Sequence, residues 1–127
     1  MRYTLSLLAF AFLIFTAQSG EAVEVLHTYD SMKDDTQELA SQYPDIAIYS
    51  EQGMSTGLDL EIFSVDVALN ITELTDEELN ALPTMYVDGT HHGNEGMSAE
   101  ASFLFLQDVL ERRAADPSYL EGKRLVV

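Results

Sequence analysis

"TMYVDGTHHGNEGMSAEASFLFLQDVLERR", residues 84–113, changes from a strand pattern to a helix pattern across a glycine-rich step, and that change decides the fold class. "TMYVDG" predicts a strand. Its C-terminal end delivers Asp88, Gly89 and Thr90, and then the adjacent His91 and His92. From Ser98 to about Arg113 the pattern is helical, with Phe103, Leu104, Leu106, Val109 and Leu110 forming an apolar face broad enough to cover a sheet. Asp116-Pro117 breaks the helix, and "KRLVV", residues 123–127, reads as a further apolar strand. The chain is therefore α/β, and in open α/β sheets the carboxyl ends of strands are where sites are placed.

Upstream, Ser31 can cap a helix running to about Gln42, with Met32, Thr36, Leu39, Ala40 and Tyr43 on one stripe, and Pro44 ends it. "DIAIYS" alternates as a strand does, "EQGMSTG" supplies turn chemistry, and "LDLEIFSVDVAL" alternates again with one wet face. Thr75 and Glu78 have capping-box spacing, so a short helix precedes Pro83. The expected order is α, β, β, short α, β, α, β. A chain of 127 residues without internal repeat or low-complexity linker fits one small domain.

At the N-terminus, Arg2 precedes an apolar run from Leu5 to Phe15, followed by the small-residue pattern Ala17-Gln18-Ser19. This reads as a secretory signal over residues 1–19, leaving a mature chain of residues 20–127. The run is shorter than the roughly 20 residues of a spanning helix, so export to the extracellular side is expected, with no stable membrane insertion after cleavage. With no cysteine, disulfides, thiolate metal ligands and a cysteine-borne lipid anchor are all excluded. The net charge is -16, and loss of Arg2 with the signal lowers it by one, to -17. Such a chain repels phosphates, which excludes nucleic acid as a partner. The acidic residues are spread along the chain, as on a heavily hydrated surface.

His92 and Glu95 are three residues apart. If Gly93-Asn94 forms one tight turn into the helix, the imidazole and carboxylate reach the same side and can share a cation. This donor pair suits Zn2+, which it can hold while leaving the ion acidic enough to activate water. His91, adjacent to His92, points to the opposite face of an extended segment and is assigned to packing or hydrogen bonding. Asp88 is a candidate to orient a metal-bound histidine, alongside ordinary turn chemistry. Asn70-Ile71-Thr72 has the pattern of a glycosylation acceptor.

These motifs, in this order, resemble the zinc carboxypeptidase family of the carboxypeptidase A type. The resemblance rests on "TYDSMKDDTQELASQYPDIAIYS", the turn Gly53-Met54-Ser55, the strand "LEIFSVDVAL", the step "MYVDGTHHGNE", and the following helix and "RLVV". It covers nearly all of the mature chain. It implies the N-terminal part of a mixed sheet with helices on both faces, incomplete in itself, and a hydrolase that cleaves C-terminal peptide bonds of polypeptide or peptide substrates with zinc-activated water. His92 and Glu95 then correspond to two of the three zinc ligands. Asn94 stands where many members carry an arginine that polarises the scissile carbonyl, and can still donate a hydrogen bond. The turn "GMSTGLD" is one residue shorter than the family's, with Leu58 in place of another arginine. The resemblance further implies a third histidine ligand, a glutamate base and substrate-gripping residues, none of which corresponds to a residue of this chain, so no catalytic residue is assigned and the chain alone is expected to be inactive. Neither His27 nor His91 is assigned as the third ligand.

Two other readings are carried forward. Gly93-Asn94 is similar to the aspartoacylase and succinylglutamate desuccinylase branch, zinc enzymes that deacylate small N-acyl amino acids. A secreted, non-catalytic binding domain is the other. A portion of an enzyme is expected to expose an apolar edge at "RLVV" and aggregate, whereas a binding domain unfolds as a cooperative unit.

Overall fold

The computed structural model describes residues 26–90 and 96–127. It is a mixed α/β structure whose elements follow one another as expected: α1 Tyr29–Ser41, β1 Ala47–Met54, β2 Glu61–Val67, α2 Asp76–Ala81, β3 Thr84–Tyr86, α3 Gly96–Ala115 and β4 Arg124–Val126, with a 3₁₀ turn at Ile71–Glu73. Residues 1–19, read above as a secretory signal, lie outside the described residues. Among the described residues no helix is long and apolar enough to cross a membrane.

Helix α1 starts three residues earlier than its sequence suggests. Thr28, not Ser31, is the cap: its hydroxyl accepts the Ser31 N–H at 3.2 Å, and the Ser31 hydroxyl accepts the Thr28 N–H at 2.9 Å. The reciprocal pair satisfies two backbone donors that the first turn would otherwise leave open. Thr36, Leu39 and Ala40 are the buried part of the expected stripe.

Strand β1 runs on through much of the segment read as a turn. Glu51 and Gly53 flank a bulge in its antiparallel pairing with β2, and the φ of +147° at Gly53 is one that side-chain-bearing residues rarely adopt. The turn itself shrinks to about residues 55–60, closed by the Ser55 N–H donating to the Leu60 carbonyl at 2.6 Å.

The sheet has the order β1-β2-β4-β3. Strand β4 is antiparallel to β2, with Asp66 opposite Val126 and Val67 opposite Leu125, and parallel to β3, with Met85 opposite Leu125. The "RLVV" segment is thus an interior strand, with Leu125 1% and Val126 4% exposed, and the expected apolar edge there is not present. The outer strand on this side is β3, short and exposed along its length.

The core forms where Leu39 and Ala40 of α1 and Leu106, Val109 and Leu110 of α3 meet Ala47, Val65, Val67 and Leu125. Burying each of the Leu and Val side chains contributes about 1.5–3 kcal/mol. Leu104, expected on the inner face of α3, is instead 61% exposed, because the buried line of the helix runs through Leu106, Val109, Leu110 and Arg113. The Arg113 guanidinium donates to the Tyr119 carbonyl, and its burial pulls its pKa down.

Both long helices therefore cover one face. On the opposite face Ile48, Asp66, Val126 and Tyr86 are cross-strand partners; Asp66 and Val126 are buried there and Tyr86 is 73% exposed. The short helix α2 meets this side, where Arg124 donates to Asn80 at 2.9 Å. Arg124 also pairs with Asp66 at 2.5 Å, which fastens β4 to β2.

Candidate functional site

Because β3 and β4 are parallel neighbours, their carboxyl ends lie at the same end of the sheet, together with the start of antiparallel β2. The pairing of β3 and β4 continues to the Val87 N–H, which donates to the Val126 carbonyl at 2.8 Å. Beyond it the Asp88 carboxylate accepts the Thr90 N–H at 3.1 Å, an Asx-type turn that sends the chain away from the sheet. Gly89 passes close against α3: a Cβ placed there would lie 3.0 Å from Ser102 Cβ and 3.2 Å from Ala99 Cα. Glycine is what allows this approach of loop to helix.

His91, His92, Asn94 and Glu95, the residues on which the metal expectation rests, lie outside the described residues. Their chain neighbours Thr90 and Gly96 line a groove of about 810 Å³ at this end of the sheet. Among the other residues lining it are His27, Tyr29, Glu61, Phe63, Asp88 and Glu100. Within the described residues no three His, Asp or Glu side chains gather as a metal site.

Two ionic clusters flank the groove, and neither was visible in the sequence. In the first, His27 Nδ1 lies 2.8 and 2.9 Å from the two Glu100 carboxylate oxygens, Nε2 lies 2.9 Å from Asp35, and the His27 N–H donates to Glu100 at 2.5 Å. The ring also packs on Phe103, with centroids 5.1 Å apart. With carboxylates at both nitrogens the imidazolium form is favoured, and Glu100 is the main cause of the raised His27 pKa. Glu100 is correspondingly held below the usual carboxylate value, first by the His27 N–H. An imidazolium donating through both nitrogens has no lone pair for a metal.

In the second, the Glu61 carboxylate pairs with Lys33 and accepts the Tyr49 hydroxyl at 3.3 Å, while the Tyr29 hydroxyl donates to the Glu61 carbonyl at 2.8 Å. The rings of Tyr29 and Tyr49 lie 6.2 and 5.6 Å from that of Phe63. Lys33 lowers the Glu61 pKa, and burial pushes the Tyr49 hydroxyl up to about 12. The Tyr49 phenol stays protonated and acts as a donor, and the rings of Tyr29 and Tyr49 serve as apolar walls. Glu100 lies 73 residues from His27, so no local pattern could have paired them.

No protein-family model matches the chain, and no curated protein matches it significantly.

Proposed function

We propose that the chain is the N-terminal portion of the catalytic domain of an exported zinc metallocarboxypeptidase, a hydrolase that removes C-terminal residues from polypeptide or peptide substrates. The observation that carries this reading is the path of the chain: the segment holding His92 and Glu95 connects the carboxyl end of β3 to α3, and its neighbours Thr90 and Gly96 line the groove. Strand ends of this kind place functional groups beside a ligand without disturbing the sheet. The mixed sheet and the element order support the same reading.

His92 and Glu95 would hold the ion, and a zinc ion there would supply Lewis acidity and an activated water. Asn94 would donate a hydrogen bond to the substrate carbonyl without adding charge. Two protein ligands make a partial site, so the chain by itself is expected to bind Zn2+ weakly and to turn over no blocked dipeptide. Competition against a chromophoric chelator tests this. Weak binding that disappears in His92→Ala and in Glu95→Gln, but persists in His27→Gln, is the expected result. Tight stoichiometric zinc accompanied by turnover would overturn the partial-site reading, and affinity indifferent to both substitutions would remove these residues from it.

Gly93-Asn94 favours one alternative, a zinc deacylase of small N-acyl amino acids, which hydrolysis of an N-acyl amino acid by the longer enzyme would distinguish. The interior position of β4 favours another, a non-catalytic binding domain, since it lets β1, β2 and β4 share one core. Thermal unfolding followed by circular dichroism bears on that choice: a reversible cooperative transition favours the binding domain, and aggregation favours a portion of an enzyme.

A further inference from the structure

At the end of the sheet away from the groove, β2 leaves the sheet through Ala68 and Leu69 into a turn formed by Asn70, Ile71 and Thr72. This is the one Asn-x-Ser/Thr triplet in the 127 residues; Asn80 and Asn94 are followed by Ala-Leu and Glu-Gly. Asn70 is exposed and sits in the left-handed region at φ 52°, ψ 39°, where asparagine is among the best tolerated side chains. Its side chain makes no capping hydrogen bond to the 3₁₀ turn that follows, so the turn does not depend on a free carboxamide. Thr72 is also exposed, whereas Ile71 between them is 2% exposed and its N–H donates to the Asp45 carbonyl at 3.0 Å. The middle residue thus anchors the turn while the two residues that define the acceptor face water. No residue of this turn lines the groove.

From this juxtaposition we infer that Asn70 is an N-glycosylation site, carrying an oligosaccharide on the end of the sheet remote from the groove. The inference rests on the reading that the chain is exported, since the modification takes place on the secretory side of the membrane. In the transfer, Asn70 Nδ2 forms a bond to the anomeric carbon of a polyprenyl-pyrophosphate-linked oligosaccharide. The bond from that carbon to the pyrophosphate oxygen breaks, the lipid pyrophosphate leaves with the bonding pair, and Nδ2 gives up one proton to a base of the membrane transferase. The amide becomes a secondary amide. Nothing is oxidised or reduced. A folded chain can keep the product, because the sugar leaves an exposed atom and displaces no packed neighbour.

The full chain would be expressed in a glycosylating secretory host, once with its own leader and once with residues 1–19 exchanged for that host's leader. Gel mobility and mass spectrometry are read before and after digestion with an amidase that releases N-glycans and converts the acceptor asparagine to aspartate. The expected result is one discrete mass increment, lost on digestion with conversion at position 70 and nowhere else. It should be absent from Asn70→Gln and Thr72→Ala and retained in Thr72→Ser. Because Asn70 occupies a left-handed backbone position, Thr72→Ala is the variant that removes the acceptor without touching that position. If only the host leader yields modified protein, the export reading fails and Asn70 stands as an acceptor. Secreted chain from both leaders with unmodified Asn70 overturns the inference, as does an increment that survives Thr72→Ala.

Discussion

His27 holds carboxylates from two helices, Asp35 of α1 and Glu100 of α3, so its protonation state sets how firmly the segment before α1 is tied down. Its pKa is raised in the folded chain, so its contribution is fully present below the unfolded value of 6.5 and is lost as pH rises through the folded one. Glu100 is lowered, so its contribution is present above 4.5 and is lost as pH falls through its folded value. Urea unfolding across about pH 4 to 9 should therefore show Glu100→Gln most destabilised relative to the parent between those two values, with the difference shrinking on either side. A difference independent of pH would show that Glu100 acts through packing instead. Gly89 makes a second prediction at this scale. Gly89→Ala drives a methyl toward Ala99 and Ser102, and by overpacking should cost about 1–3 kcal/mol in the same measurement. Both residues show why the site was only partly legible in the sequence: a carboxylate 73 positions away and a close backbone approach leave no local pattern, whereas His92-Gly93-Asn94-Glu95 can be read directly.

The type and order of the elements could be read because period and punctuation are local properties. Pro44, Pro83 and Pro117 mark breaks, and the Thr75 capping box opens α2 as expected, with Glu78 accepting the Thr75 N–H at 2.9 Å. Strand order was not readable, because pairing depends on partners distant in the chain: "RLVV" looks the same as an edge or as an interior strand until β2 and β3 flank it. The same limit explains Leu104, since a helix with apolar residues on several sides does not reveal which of them the sheet selects. Leu125 lies in the core between the two flanking strands, so Leu125→Ala should lose about 2–5 kcal/mol, measured as a lowered urea midpoint with an unchanged slope. Loss of under about 0.5 kcal/mol would mean that β4 is not packed as described. Thr28→Ala removes the α1 cap, and about 1 kcal/mol is expected.

For the whole molecule, a net charge of -16 produces self-repulsion that any compact state must bear. At about 0.5 M NaCl the screening length falls to roughly 4 Å, so Tm should rise by a few degrees over its value at low salt; a falling Tm would show that the ion pairs of Lys33, Arg112 and Arg124 matter more than the bulk repulsion. The sheet order also has a kinetic meaning. Strands β1 and β2 are neighbours in sequence and can zip as a hairpin, but β3 reaches them only through β4, whose Arg124 meets Asp66 across a separation of 58 residues. Joining the two halves requires that this long loop close first, an entropic demand that places the chain among slower-folding topologies. On the ribosome, a nascent chain that has not yet released residues 124–127 holds a hairpin and a solitary strand, with α1 and α3 lacking part of the surface they share. A protease that clips the same few residues should release the fold as a whole, so that susceptibility at this short stretch reports on the integrity of the entire sheet.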